Sequence, residues 1–142
     1  MSVPVAKTGL LQLQEVRDRA ALALAPQTDD DPDVFPDLVD SVTPPALLLF
    51  WADPWLNAKT IGGMGGGHGL WDAWLEVLAV VGRADPSPSL DDLEALVAYA
   101  LQRLQDADDN WPVETFYAPR RFDIGGVTYL GTRMVFRVPV TV

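Results

Sequence analysis

Two periods of apolar spacing run along this chain and divide it into elements. Between Thr8 and Ala25, Leu10, Leu11, Leu13, Val16, Ala20, Ala21 and Leu24 recur at helical spacing, with Gln12, Glu15, Arg17, Asp18 and Arg19 supplying a polar side. The pattern predicts a helix over 8–25, with Thr8 placed to cap it and Pro26 to end it. The next stretch, QTDDDPDVFPDLVD, is acidic, aperiodic and broken by prolines, which predicts a surface loop. Pro44-Pro45 then starts the short apolar run ALLLFW (46–51). Its length and flanking prolines predict a strand, and Asp53-Pro54 predicts a turn after it.

The segment LWDAWLEVLAVVG (70–82) fits both periods. Leu70, Trp74, Leu75 and Leu78 suit a helix, whereas Trp71, Leu75, Val77, Ala79 and Val81 suit alternating strand positions. Periodicity alone does not decide between them. We take it as a strand, which makes 46–82 a hairpin with the glycine-rich GGMGGGHG (62–69) as its connection. The helical pattern is plainest over 89–107. There Ser89 and Asp92 stand in capping-box spacing, Asp91, Asp92 and Glu94 lie at the positive end of the dipole, and Arg103 lies near the negative end. Leu90, Leu93, Leu96, Val97, Ala100, Leu101 and Leu104 form a broad apolar stripe to lie on a sheet.

A second hairpin over 113–142 ends the sequence: VETFYAPRRF (113–122), the turn DIGG (123–126) and VTYLGTRMVFRVPVTV (127–142). In its last strand Leu130, Met134, Phe136, Val138 and Val140 share one face, and Arg133, Val135 and Arg137 the other. The predicted order is α-β-β-α-β-β over one domain, 1–142. That order implies an α+β fold, an antiparallel sheet with helices packed on it.

Composition narrows the function classes. A chain of 142 residues with 49% hydrophobic side chains can build a core unaided. It has no cysteine, hence no disulfide, thiolate nucleophile or cysteine-ligated zinc. The start, MSVPVAKTGLLQLQEV, lacks the pattern of a signal peptide, and no apolar run approaches the ~18 residues of a membrane span. These features lead to the expectation of a soluble protein used in a cytoplasm.

The net charge of −10 argues against general nucleic-acid binding, which requires cations to neutralise phosphates. The charge is also unevenly placed. Residues 1–118 hold 6 basic and 19 acidic side chains, a balance of −13, while 119–142 hold Arg120, Arg121, Arg133 and Arg137 against Asp123, a balance of +3. Such a split is either an ordinary solvated surface or a basic face that meets an acidic one on another copy.

Motifs for chemistry are nearly absent. The glycine stretch fails as a phosphate loop, because His68-Gly69 stand where Lys-Ser/Thr is required. A dinucleotide fingerprint can be threaded through so many glycines, but it should follow a strand and open a βαβ unit. His68 with Asp72 gives two metal ligands where zinc takes three or four. Asp29, Asp31 and Asp33 match the start of a calcium loop, but Val34 replaces its glycine and Asp40 its final glutamate. No nucleophile elbow and no zinc-protease helix motif is present. The reading is therefore not an enzyme, with no cofactor and no metal. Tryptophan, by contrast, is plentiful: Trp51, Trp55, Trp71, Trp74 and Trp111. Trp and Arg are the residues that anchor protein–protein interfaces.

The phrases PPALLLFWADPW, WLEVLAVVGRADPSPSLDDLEALVAYALQRLQ and GGVTYLGTRMVFRVPV, in this order, resemble tail terminator proteins of long-tailed phages, particularly those infecting actinobacteria. The likeness covers roughly residues 8–142 and is one of layout rather than of a catalytic signature. It implies a virion protein of the tail–neck junction, assembled in the host cytoplasm as a homohexameric ring. Such a ring caps the tube of the major tail protein, faces the head–tail connector, and lets DNA pass through its channel without specific binding or any membrane contact. The glycine-rich loop has no counterpart in that family. A head–tail connector or head-completion protein is the second reading, and a small ligand-binding domain or enzyme using the loop and His68 is the third. Candidate assembly residues are Met64 and His68 in the loop, Trp55 before it, and Arg120, Arg121, Arg133 and Arg137 in the last hairpin.

Overall fold

The computed structural model describes residues 11–36, 43–58, 70–83, 90–106 and 111–141. Its spine is a pair of long antiparallel strands that are far apart in sequence, numbered β4 (Leu70–Arg83) and β7 (Val127–Thr141) in chain order. Leu75 pairs with Phe136 and Val77 with Met134, so the alternating apolar positions of both strands reach the same face. The preceding strand β3 (Ala46–Ala58) adds to β4 antiparallel, with Leu49 opposite Val77 and Trp51 opposite Leu75. The ambiguous segment 70–82 is thus a strand, as its alternation suggests.

The expected antiparallel sheet of order α-β-β-α-β-β is overturned. Among the described residues the sheet has seven strands, is mixed, and accompanies two α-helices. Two short strands pair in parallel at its margins: β1 (Leu11–Gln12) with the end of β7, and β2 (Asp33–Phe35) with the start of β3. The remaining two, β5 (Val113–Phe116) and β6 (Arg120–Ile124), both pair antiparallel with β7. The path runs β1-β7-β4-β3-β2, so β6, β5 and β1 follow one another along the side of β7 that faces away from β4. These short segments cover most of an edge that would otherwise expose a long row of unpaired backbone groups.

Four boundaries are corrected with it. Of the expected helix 8–25, residues 8–10 lie outside the described residues and the rest is α-helical over α1 (Val16–Leu24). Before it, residues 11–12 join β7 and Leu13–Glu15 form a 3-10 turn, where Glu15 accepts the Gln12 N–H at 2.8 Å. Pairing Leu11 beside Val140 outweighs the local helical period. Asp53-Pro54, expected to end the strand, lies within β3: four residues (52–55) loop out where β4 passes one. The acidic loop contains β2, and the expected strand 113–122 splits at Pro119, which has no N–H to give a ladder.

The other predicted features stand close to their expected places. Helix α2 (Leu90–Asp106) fits the range 89–107. Gly125 (φ 60°) and Gly126 (φ 84°) form the two-residue turn from β6 to β7, since Ile124 pairs directly with Val127. A turn with positive φ at both central residues suits glycine and matches the twist of its flanking strands.

The main core lies between the helices and one sheet face. Val16, Ala20 and Leu24 of α1 and Leu93, Leu96, Ala100 and Leu104 of α2 meet Leu47, Leu75, Val77, Met134, Phe136 and Val138. Full burial of a side chain such as Phe136 contributes about 1.5–3 kcal/mol. A second, smaller cluster sits on the other face, with Leu48, Leu78, Val80 and Tyr129 at its centre and Phe50, Phe122 and Ile124 around it. The sheet is therefore apolar on both faces at one end, unlike the single dry face read from β7 alone.

The helices are joined by polar contacts at the end of α1. Arg103 of α2 donates to the Ala23 and Ala25 carbonyls at 3.3 Å each and pairs with Asp31 at 3.4 Å. Tyr99, whose ring lies 4.7 Å under the Arg103 guanidinium, donates to the Leu24 carbonyl at 3.3 Å. Carbonyls left without partners at a helix C-terminus favour such a cation.

Candidate assembly interface

Trp55 lies on the β3 margin of the sheet, Arg120 and Arg121 on β6 at the opposite margin, and Arg133 and Arg137 on the inner strand β7. Met64 and His68 lie outside the described residues. Trp55 is in the segment that loops out of the ladder. It is 39% exposed, and its ring packs against that of Trp51 with centroids 5.0 Å apart and planes tilted by 42°. Asp53 and Pro54, also exposed, precede it. The loop-out thus presents Asp53, Pro54 and Trp55 to solvent, with Trp55 resting against Trp51.

The other tryptophans divide between core and surface. Trp111 is buried in the main core, Trp71 is half-buried against it, and Trp74 is half-buried on the opposite face, across from Arg137. Among the described tryptophans only Trp55 counts as exposed.

The four arginines of the C-terminal hairpin are not one cationic face. Arg133 donates from Nη2 to Glu76 Oε1 at 2.8 Å, and its guanidinium lies 4.2 Å from the centre of the Tyr117 ring. That hydrogen bond, reinforced by the charge of Glu76, raises the Arg133 pKa above its ordinary value despite partial burial. Tyr117 is held in place by β7, accepting from Thr132 Oγ1 at 2.5 Å and donating its N–H to the Arg133 carbonyl at 3.0 Å. Arg137 lies 3.8 Å from Glu114, with both side chains about two-fifths exposed, which makes a loose surface pair. Arg120 leans over the Phe122 ring at 5.1 Å, and Arg121 is exposed beside it on β6. The outward-facing positive charge is thus concentrated on β6.

Next to β6 lies a feature that the sequence did not disclose. A groove of about 320 Å³ runs between α2 and the β5–β6 margin, walled by Leu90, Val97, Ala98 and Leu101 on the helix and by Phe116 and Pro119 across from it. Its lining is almost entirely apolar; Glu94 stands on the helix side, and Thr132 is the only other polar residue among the described residues that line it. Leu90 (55%) and Phe116 (52%) are unusually exposed for their size. Pro119, read as a strand position, is the one local signal that could have exposed this break.

The acidic segment has an internal role. Asp31 Oδ2 accepts the Gln27 N–H at 2.8 Å and the Thr28 N–H at 3.1 Å, and it faces Arg103. The Gln27 hydrogen bond, which outweighs the opposing effect of burial and is joined by the hydrogen bonds of Thr28 and the charge of Arg103, holds its carboxyl below the usual value. Asp31 therefore ties the loop to α2. Among the described residues, no three His, Cys, Asp or Glu side chains converge as a metal site requires. No described helix is long and apolar enough to cross a membrane. In comparison with known proteins, the chain matches no protein-family model and no curated protein.

Proposed function

We propose that this chain is a tail terminator, a non-catalytic subunit of a homohexameric ring at the tail–neck junction of a long-tailed phage. The observation that carries the reading is the placement of two unlike surfaces on opposite margins of one sheet. The β3 margin presents the Trp51–Trp55 pair with Asp53, and the β5–β6 margin presents an apolar groove and, on β6, the exposed Arg120 and Arg121. A closed ring is built from heterologous contacts, in which one surface meets a different one on the next copy. The resemblance of the sequence layout to tail terminators supplies the biological setting, with the major tail protein on one side of the ring and the head–tail connector on the other. The net charge of −10 suits a channel that DNA must traverse without sticking.

The test is electron microscopy of particles assembled without this protein. Overlong tails are expected, because nothing stops tube growth. Tails of normal length that fail to join heads would instead indicate a connector and refute the reading.

A further inference from the structure

We propose that the looped-out segment Ala52–Trp55 of one copy seats in the apolar groove between α2 and β5 of the next copy. This inference rests on the ring reading and names the contact that would build the ring.

Shape gives the first argument. Trp55 is exposed within a segment that loops out of the ladder, whereas the groove is concave and walled by Leu90, Val97 and Phe116. An aromatic side chain that enters such a groove removes roughly 150–250 Å² from water, which makes it a typical interface anchor. Position gives the second. Strands β4 and β7 lie between β3 and β5, so Trp55 and the groove are on opposite margins, which suits a head-to-tail contact that continues around a ring. Charge gives the third. Asp53 is two residues from Trp55, and Arg121, which pairs with Leu130 and so shares the helix-covered face of the sheet, follows the groove residue Pro119 by two positions. An acid on the incoming segment is drawn to Arg121 and away from Glu94 on the helix side, which fixes the orientation of entry.

The experiment uses two variants of the full chain and sedimentation velocity over a concentration series. Trp55→Ala removes the anchor and leaves the groove. Ala98→Arg blocks the groove and leaves the anchor, at an exposed helix position where arginine is well tolerated. Circular dichroism establishes that both are folded, and Asp53→Lys, which spares every apolar group, serves as a third variant. Each of the first two should weaken self-association at least about 30-fold. Mixed together they should form a 1:1 dimer and stop, since only one anchor and one groove remain competent.

If the wild type associates and both variants match it, the contact is refuted while the ring survives. Loss of association in Ala98→Arg but not in Trp55→Ala, or a mixture that grows beyond dimers, means another segment occupies the groove and likewise refutes it. A wild type that stays monomeric across the series and in assembled tails overturns the ring reading itself.

Discussion

Adding one methyl group at Gly131 should destabilise this protein more than its small size suggests. Gly131 is buried in β7, opposite Val80 of β4 on one side and Arg120 of β6 on the other. A Cβ at this position would come within 2.5 Å of the Ala79 carbonyl oxygen and 3.3 Å of Phe122 Cδ2. Carbon–oxygen contacts settle near 3.3–3.6 Å, so the two strands would have to separate by about 0.8 Å or more. The phenyl ring can turn aside, but the carbonyl belongs to the central strand and cannot. Overpacking typically costs 1–3 kcal/mol, and a collision with backbone belongs at the upper end, about 3 kcal/mol. At about 2–4 °C per kcal/mol for a chain of this size, Gly131→Ala should lower Tm by roughly 6–12 °C. Gly126→Ala provides the comparison. Its φ of +84° strains any side chain, but a Cβ there meets nothing within 4 Å, so the cost is only the backbone term, about 1–2 kcal/mol. Thermal unfolding followed by circular dichroism measures both. A Gly131→Ala variant within about 2 °C of wild type, or one that melts above Gly126→Ala, would refute the reasoning.

The ion pairs supply further predictions. Glu76→Gln leaves the guanidinium of Arg133 partly buried without its carboxylate and should cost about 1–2 kcal/mol in denaturant unfolding, between the values for surface and buried pairs. Glu114→Gln, at the exposed pair with Arg137, should cost less than about 0.5 kcal/mol, and equal effects would contradict the placement of the two pairs. Arg103→Met removes the donor shared by the Ala23 and Ala25 carbonyls, so amide exchange should accelerate in α1 before the rest of the main core; uniform protection would count against that clamp. The folded-state pKa of Asp31 lies below its usual 3.8, so its contribution is full above that value and disappears as pH falls through the lower folded value. The Tm gap between wild type and Asp31→Asn should therefore be present at neutral pH and close under strong acid, and a gap unchanged at about pH 2 would contradict the assignment.

What the sequence disclosed follows from how local each signal is. Helix α2 carries its stripe and its charged ends within one segment, and β4 and β7 carry their alternation, so these elements are legible. The strands β1 and β2, of two and three residues, are too short to hold a period, and each becomes a strand only beside a distant or parallel partner. Their absence from the reading turned a mixed sheet into an antiparallel one. Asp53-Pro54 is a turn signal in isolation, and long pairing on either side keeps it inside β3. The site was half legible for the same reason. Counting charges by segment exposed the basic C-terminal hairpin but not that Glu76 draws Arg133 inward or that Glu114 pairs with Arg137 at the surface. Trp55 was identified from residue type, while the groove exists only because α2 packs beside a strand break some twenty residues further on.

The central claim is a closed ring, and the most direct measurement is electron microscopy of end-on views of the protein capping assembled tails. Six copies around an open channel, with the β3 margin of each against the β5–β6 margin of the next, is the predicted result. A single copy at the tail end, or an open chain of copies with no closure, would contradict it.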